Sequence, residues 1–207
     1  MSWYSEKAQK LLENVEDVDV DFVHFFSGCQ GQILDAGCLT GNFILNAPIK
    51  IEGFEIDAEA VEICKQRGFK VKLGALEKPL PYPAGYFGGV YCSHVIEHLN
   101  EPILALKEFY RILAKGGKLV VKTPDYLRFW KKFWDDHTHR RPFTKESLKR
   151  IAYDVGFRNF KVYPDIIKFR GQRNIMKLIG INNVWKMHAV LRKIGLSDST
   201  LILEAIK

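Results

Sequence analysis

The stretch Asp35-Ala36-Gly37-Cys38-Leu39-Thr40-Gly41-Asn42-Phe43 sets an acid and two glycines at the end of a short apolar run, QILDA. Glycines here let the backbone approach a ligand closely and turn into a helix whose first N–H groups are unpaired. Glu55 follows Asp35 by about twenty residues, near the end of a second run, KIEGFEI. A carboxylate so placed accepts hydrogen bonds from both hydroxyls of a ribose. Turn and acid together describe a site for an adenosine-bearing cofactor. A dinucleotide site wants GxGxxG, with its glycines against a pyrophosphate. Here Leu39 stands between Gly37 and Gly41, and Asp35 would present a carboxylate near that pyrophosphate. S-adenosyl-L-methionine has a sulfonium, an ammonium and no phosphate, so an acidic first turn suits it better.

Histidine titrates near neutrality, so His94, His98, His137 and His139 are candidate bases for a hydroxyl acceptor. His98 lies four residues after His94 in an expected short helix, where the two share a face. The plainer role for His98 is a cap on the turn after a strand. His139 is the preferred base, with His137 and His94 behind it. No second ligand cluster accompanies them, so no metal site is assigned. Cys29, Cys38, Cys64 and Cys92 form no CxxC pair and read as buried reduced thiols. Cys38 falls just after an expected strand and Cys92 at the end of one, and both are candidates to line a pocket.

These residues need elements to position them. Gln32–Ala36, Lys50–Ile56, Phe69–Leu73, Phe87–Cys92 and Lys118–Lys122 read as strands, the last after a turn at Lys115-Gly116-Gly117. Asp57 caps a helix over Ala58–Arg67, which Gly68 ends, and a second helix spans Glu101–Leu113. Strands alternating with helices at this spacing imply a parallel sheet, doubly wound and covered on both faces. Beyond Pro124 a helix over Lys145–Val155, a strand over Phe157–Tyr163 and a closing strand over Thr200–Ile206 are expected. Phe129, Trp130, Phe133 and Trp134 sit at helical spacing; they either pack this addition onto the core or wall an apolar acceptor site.

The 207 residues suit a single domain, with 47% hydrophobic and 27% charged residues arguing against disorder. We divide it into an N-terminal helical segment (1–30), a cofactor-binding core (31–124), acceptor-side and basic helical additions (125–197) and a final strand (198–207). The acidic N-terminus reads as no signal peptide, and no stretch reaches the ~20 apolar residues of a spanning helix, so a cytoplasmic protein is expected. The net charge is +7. Between Ile166 and Ser197 there is no acid, and Lys168, Arg170, Arg173, Lys177, Lys186, Arg192 and Lys193 equal that whole excess. Interleaved apolar residues make 168–193 either an interfacial helix on an anionic membrane or a helix packed on the core with a solvated basic face. No recognition motif accompanies the charge, so nucleic acid is not the expected partner.

ILDAGCLTGNF (Ile33–Phe43) resembles the first motif of class I S-adenosylmethionine-dependent methyltransferases, roughly LDxGCGxGxF. FEID resembles their second motif, LEKPLPYPAGYFGGVYCSHVIEHLNEP (Leu76–Pro102) the stretch written LPFPDxSFDxVxxxxVLEHLxDP, and EFYRILAKGGKLVVKTPD (Glu108–Asp125) the segment around their fifth strand. WDDHTHRRPFTKESLKRIAYDVGF (Trp134–Phe157) is similar to the continuation seen in many members. The resemblance covers about residues 30 to 160. It implies a Rossmann-like α/β fold with a mostly parallel seven-stranded sheet, helices on both faces, an antiparallel last strand and helical additions. It also implies methyl transfer to a small-molecule, glycan or lipid-linked acceptor. On this reading Asp35, Ala36, Gly37, Cys38 and Gly41 hold the methionine portion, Glu55 the ribose and Ile56 the adenine face. Ala75 and Leu76 offer backbone groups to the adenine edge, Cys92 and Ser93 border the transfer point, and His137 and His139 lie over the acceptor side. Arg140 and Arg141 are candidates to clamp an acidic group on the substrate. Three positions depart from the pattern: Leu39 replaces the middle glycine, Ala75 an adenine-binding aspartate, and Gly88 an aspartate opening the fourth strand. A catalytically silent homologue acting as a partner subunit is therefore the alternative, ahead of a basic nucleic-acid-binding module.

Overall fold

Two-residue alternation sorts the strand side chains into two cores. Leu34, Val90, Cys92, Leu119, Val121, Leu201 and Leu203 fill one, whereas Ile33, Tyr91, Val120 and Ile202 fill the other. The computed structural model describes residues 25–26, 28–45, 51–165 and 198–207, with isolated helical positions at 183, 186–187 and 190–191. Strands β1 (Gln32–Ala36), β2 (Ile51–Glu55), β3 (Val71–Leu73), β4 (Phe87–Ser93), β5 (Leu113–Pro124), β6 (Asn159–Pro164) and β7 (Thr200–Ile206) form one seven-stranded sheet in the order β3-β2-β1-β4-β5-β7-β6. β1 through β5 run parallel, and β7 lies antiparallel between β5 and β6. The order reverses beside β1, and that switch point is where such a sheet opens a crevice at the carboxyl ends of its strands.

Helices α1 (Asn42–Leu45) and α2 (Ala58–Gln66) cover one face, burying Phe43, Ile44, Val61 and Cys64 beside the helical residues Phe25 and Phe26. Helices α3 (Pro102–Ile112) and α5 (Lys145–Val155) cover the other through Ala105, Leu106, Phe109, Leu148 and Ala152. Asp57 caps α2 as expected, accepting from Glu59 N at 2.8 Å. Helix α4 (Tyr126–Phe133) follows β5, with Asp125 accepting from Leu127 N at its start.

Several boundaries differ from the sequence reading. β5 begins at Leu113, directly after α3, and the expected turn at Lys115-Gly116-Gly117 is an irregularity within it. Gly116 takes a positive φ there, and its N–H donates to Lys207 O at 2.8 Å. The segment after β4 is a single 3-10 turn, Ile96–His98; His94 lies outside it with φ 54, so His94 and His98 share no helix face. Of the aromatic group on α4, Phe133 is buried, whereas Trp130 and Trp134 are exposed. The expected helices of residues 1–24 and the basic segment 168–193 lie, apart from five isolated positions, outside the described residues. No helix among the described residues is long and apolar enough to cross a membrane.

Candidate functional site

The turn between β1 and α1 is held by close backbone packing. Gly37 and Gly41 both have positive φ, and a Cβ on Gly37 would collide with the Val95 side chain that follows β4. Gly37 N and Cys38 N both reach Phe54 O of β2, at 2.8 and 3.3 Å. Leu39 also lies in the left-handed region, at φ 48, which explains why a glycine would be favoured there. Its N–H donates to Glu55 Oε2 at 2.8 Å. Glu55 Oε1 accepts from Ile56 N and Asp57 N at 2.7 and 3.0 Å. The sheet thus brings the acid of β2 and the turn of β1 together, as the sequence spacing anticipates.

Asp35 and Ala36 are buried at the end of β1. Cys38 is buried with its thiol against Cys64; that hydrogen bond, before burial itself, pushes the Cys38 thiol far up and keeps it protonated. Ile56 is 70% exposed and Leu73, at the nearby end of β3, 56%, so two apolar side chains stand bare at neighbouring strand ends. Ala75 is partly exposed and accepts from Lys78 N, while Leu76 is buried. Cys92 is fully buried in the core, where burial first, and then Glu97 and Asp35, raise its thiol pKa; only its backbone is left to border a ligand. Ser93, partly exposed, ends β4 opposite Lys122. Gly88 lies at the far, N-terminal end of β4, where a Cβ would run into the Gln30 carbonyl. That departure from the family pattern is a packing requirement remote from the crevice.

A second group of residues forms beyond β4. Glu97 is 0% exposed; its Oε2 accepts from Thr123 Oγ1 at 3.0 Å, and its main-chain O accepts from Arg140 N and Arg141 N. Those two backbone bonds draw the loop after α4 onto the 3-10 turn and set His139 against His98, with ring centroids 4.8 Å apart. Asp136 Oδ1 accepts from Thr138 Oγ1 at 2.6 Å, and Thr138 Oγ1 meets His98 Nδ1 at 2.9 Å. His139 Nδ1 meets Phe133 O at 2.6 Å. Burial, partly opposed by Glu97, lowers the His98 pKa and favours neutral imidazole. Burial works most strongly against charge on Asp136, but the Thr138 hydrogen bonds and the two rings together hold its carboxyl below the ordinary range. His94 is half exposed, its Nδ1 3.3 Å from Glu97 Oε1. His137 is exposed and stands outside this group. Arg141 is committed to Asn100 O and Glu101, while Arg140 is exposed.

Of the residues the sequence reading singles out, the fold brings the turn to Glu55, and His139 to His98, which that reading favours as a cap; Glu97 is not among them. Glu97 is an acid that follows two apolar residues, Val95 and Ile96, in the turn VIEHL, and that mismatch is the signal that marks it.

A family model described as a methyltransferase domain matches residues 6–162. An uncharacterized protein of Methanocaldococcus jannaschii is 30% identical over 146 residues, or 67% of this chain and 70% of that protein. A ubiquinone biosynthesis O-methyltransferase of Xanthomonas oryzae pv. oryzae is 24% identical over 131 residues; the match spans 58% of this chain and 55% of that enzyme. A SAM-dependent methyltransferase structure from Archaeoglobus fulgidus is similar in fold, with a TM-score of 0.69 at 23% identity over 98% of this chain and 94% of that one. The extent of the family match, with the seven-stranded topology around the Gly37–Gly41 turn, establishes that the chain belongs to the methyltransferase-domain family of S-adenosylmethionine-dependent class I fold.

Proposed function

We propose that the chain moves a methyl group from S-adenosylmethionine to a hydroxyl of a small-molecule, glycan or lipid-linked acceptor. The observation that carries this is the buried Glu55 carboxylate at the carboxyl end of β2, facing the positive-φ turn of β1. The neighbouring features fit the cofactor's parts: Gly37 leaves a backbone surface that a Cβ would fill, and Ile56 and Leu73 offer apolar faces for an adenine. When bound, S-adenosylmethionine supplies an activated methyl group, because its sulfonium leaves as a neutral sulfide. The protein's task is to align an acceptor oxygen about 3 Å from that carbon and to exclude water. Removal of the hydroxyl proton falls to the His98–His139 pair, with His139 held by Phe133 O; exposed His137 and half-exposed His94 are less well placed.

A lipid-linked acceptor draws support from α4, where exposed Leu127, Trp130 and Trp134 fall at spacings of three and four beside Arg128, Lys131 and Lys132. Such a face suits the surface of an anionic membrane, and four free cysteines fit the reducing cytoplasm.

One observation favours the second reading, a silent homologue serving as a partner subunit. Three backbone N–H groups already occupy Glu55, whose two oxygens offer roughly four acceptor positions. Calorimetry with S-adenosylmethionine and its demethylated product separates the two. Binding by the unaltered chain, weakened at least ~10-fold in Glu55→Ala, is the expected outcome, since losing a charged hydrogen bond costs about 1.5–3 kcal/mol. Absence of binding by the unaltered chain would favour the silent homologue.

A further inference from the structure

The fold gathers Glu97, His98 and His139 so that one potential ligand atom from each lies within 4.8 Å of the others. We propose that these three residues bind a divalent first-row transition-metal ion, of the zinc, cobalt or manganese kind, at the acceptor edge of the sheet. The sequence alone names no such site, because the third ligand arrives on a loop after α4 and the first is an acid that follows two apolar residues.

The strongest observation is at Glu97. Its side chain is fully buried, yet Oε1 has no hydrogen-bond partner among the described residues. The nearest cationic candidate, His94 Nδ1 at 3.3 Å, lies outside hydrogen-bond geometry and attracts only when protonated. A bare buried carboxylate oxygen is unfavourable unless a charge compensates it. A metal ion beside Oε1 supplies that charge.

The imidazoles point to the same ligand. Thr138 Oγ1 spends its proton on Asp136, so it must accept from His98, which places the proton on His98 Nδ1. His139 Nδ1 faces a carbonyl, which can only accept, so its proton also sits on Nδ1. Both rings are therefore fixed in the tautomer that keeps the lone pair on Nε2. Metal-binding histidines are ordinarily held in this way, by donating the other ring N–H to a carbonyl or a carboxylate-linked partner. Two imidazoles and one carboxylate suit borderline divalent ions and leave positions open for an oxygen ligand.

The cluster follows β4, and Thr123 near the end of β5 donates into it, so it sits on the same sheet edge as Glu55 and the Gly37 turn. The following step, and only it, rests on the methyl-transfer reading above. An acceptor hydroxyl bound to the ion loses its proton to solvent more readily. The resulting oxygen lone pair attacks the methyl carbon as the C–S bonding electrons leave with sulfur. His98 and His139 then serve as ligands, and the ion takes over the work assigned above to a base.

Cobalt(II) titrated into the full chain, stripped of metal with chelator, tests the site through its visible absorption, with zinc displacement as competitor. One equivalent should bind, and His139→Ala and Glu97→Gln should each weaken binding at least ~10-fold, whereas His137→Ala should not. His139→Ala alters a partly exposed loop residue and keeps the test decisive where Glu97→Gln misfolds. No cobalt spectrum at one equivalent, or unchanged affinity in His139→Ala, would overturn the proposal. Cofactor calorimetry on the same samples keeps the two readings apart: cofactor binding without metal sinks the ion alone, and metal binding without cofactor sinks methyl transfer alone.

Discussion

Leu39 holds a backbone conformation that L-residues avoid, at φ 48, because its N–H is needed at Glu55 Oε2. The left-handed region costs a side-chain-bearing residue about 1–2 kcal/mol, and glycine escapes that penalty. Glycine's greater freedom in the unfolded chain takes back about 0.5–1 kcal/mol. Leu39→Gly should therefore be more stable than Leu39→Ala by about 1 kcal/mol in urea denaturation, the reverse of the usual order; Ala equal to or above Gly would show that the turn is unstrained. The same residue shows what a sequence reveals at this scale. Gly37, Gly41 and Glu55 are legible because glycine and acid punctuate apolar strands. Glu97 is less so, since its burial depends on Thr123 and on a loop whose Arg140 and Arg141 amides bind its carbonyl. Those are long-range contacts that no local pattern encodes.

At the scale of elements, helix α5 starts at a reciprocal cap: Ser147 N donates to Thr144 Oγ1 at 3.2 Å, and Thr144 N to Ser147 Oγ at 2.8 Å. The helix buries Leu148 and Ala152 against the sheet, so fraying its first turn is felt in the core. Thr144→Ala should lower unfolding stability by about 1 kcal/mol, with Thr144→Ser restoring most of it; a midpoint unchanged by Thr144→Ala would show that the exposed cap contributes nothing. Periodicity found this helix and all seven strands, because apolar alternation reports burial directly. It missed the start of β5, because Leu113 pairs with Phe87 across an irregularity that resembles an ordinary glycine turn. It also read the segment after β4 as a helix, where a positive φ at His94 confines the regular part to one 3-10 turn.

For the molecule as a whole, the antiparallel edge determines how the fold responds to acid. Glu204 on β7 ties three strands together, with Lys161 Nζ of β6 at 3.0 Å, Tyr163 OH of β6 at 2.9 Å and Lys118 Nζ of β5 at 3.6 Å. Burial works most strongly against its charge, but the bonds from Lys161 and Tyr163 and the fields of both lysines outweigh it, holding the carboxyl below its ordinary 4.5. On the opposite face, Arg111 chiefly, with Leu80 N assisting, holds Glu108 below 4.5 as well. Between the depressed and the ordinary value, the unfolded chain binds more protons than the folded one, so stability rises with pH across that window. The contribution is complete above about 4.5 and is lost as the pH falls through the folded values. His98, held below its ordinary 6.5 chiefly by burial, adds its own loss as the pH falls through that value, so melting temperature measured against pH should decline gently below about pH 6.5 and more steeply below about 4.5. Glu204→Gln should lower stability by roughly 1 kcal/mol at neutral pH, a figure kept small because Lys161 is largely exposed. It should also make the acid decline shallower, because one of the groups that drives it can no longer titrate. A variant curve parallel to the unaltered protein's at every pH would place the acid sensitivity elsewhere and leave the three-strand tie at Glu204 without energetic weight.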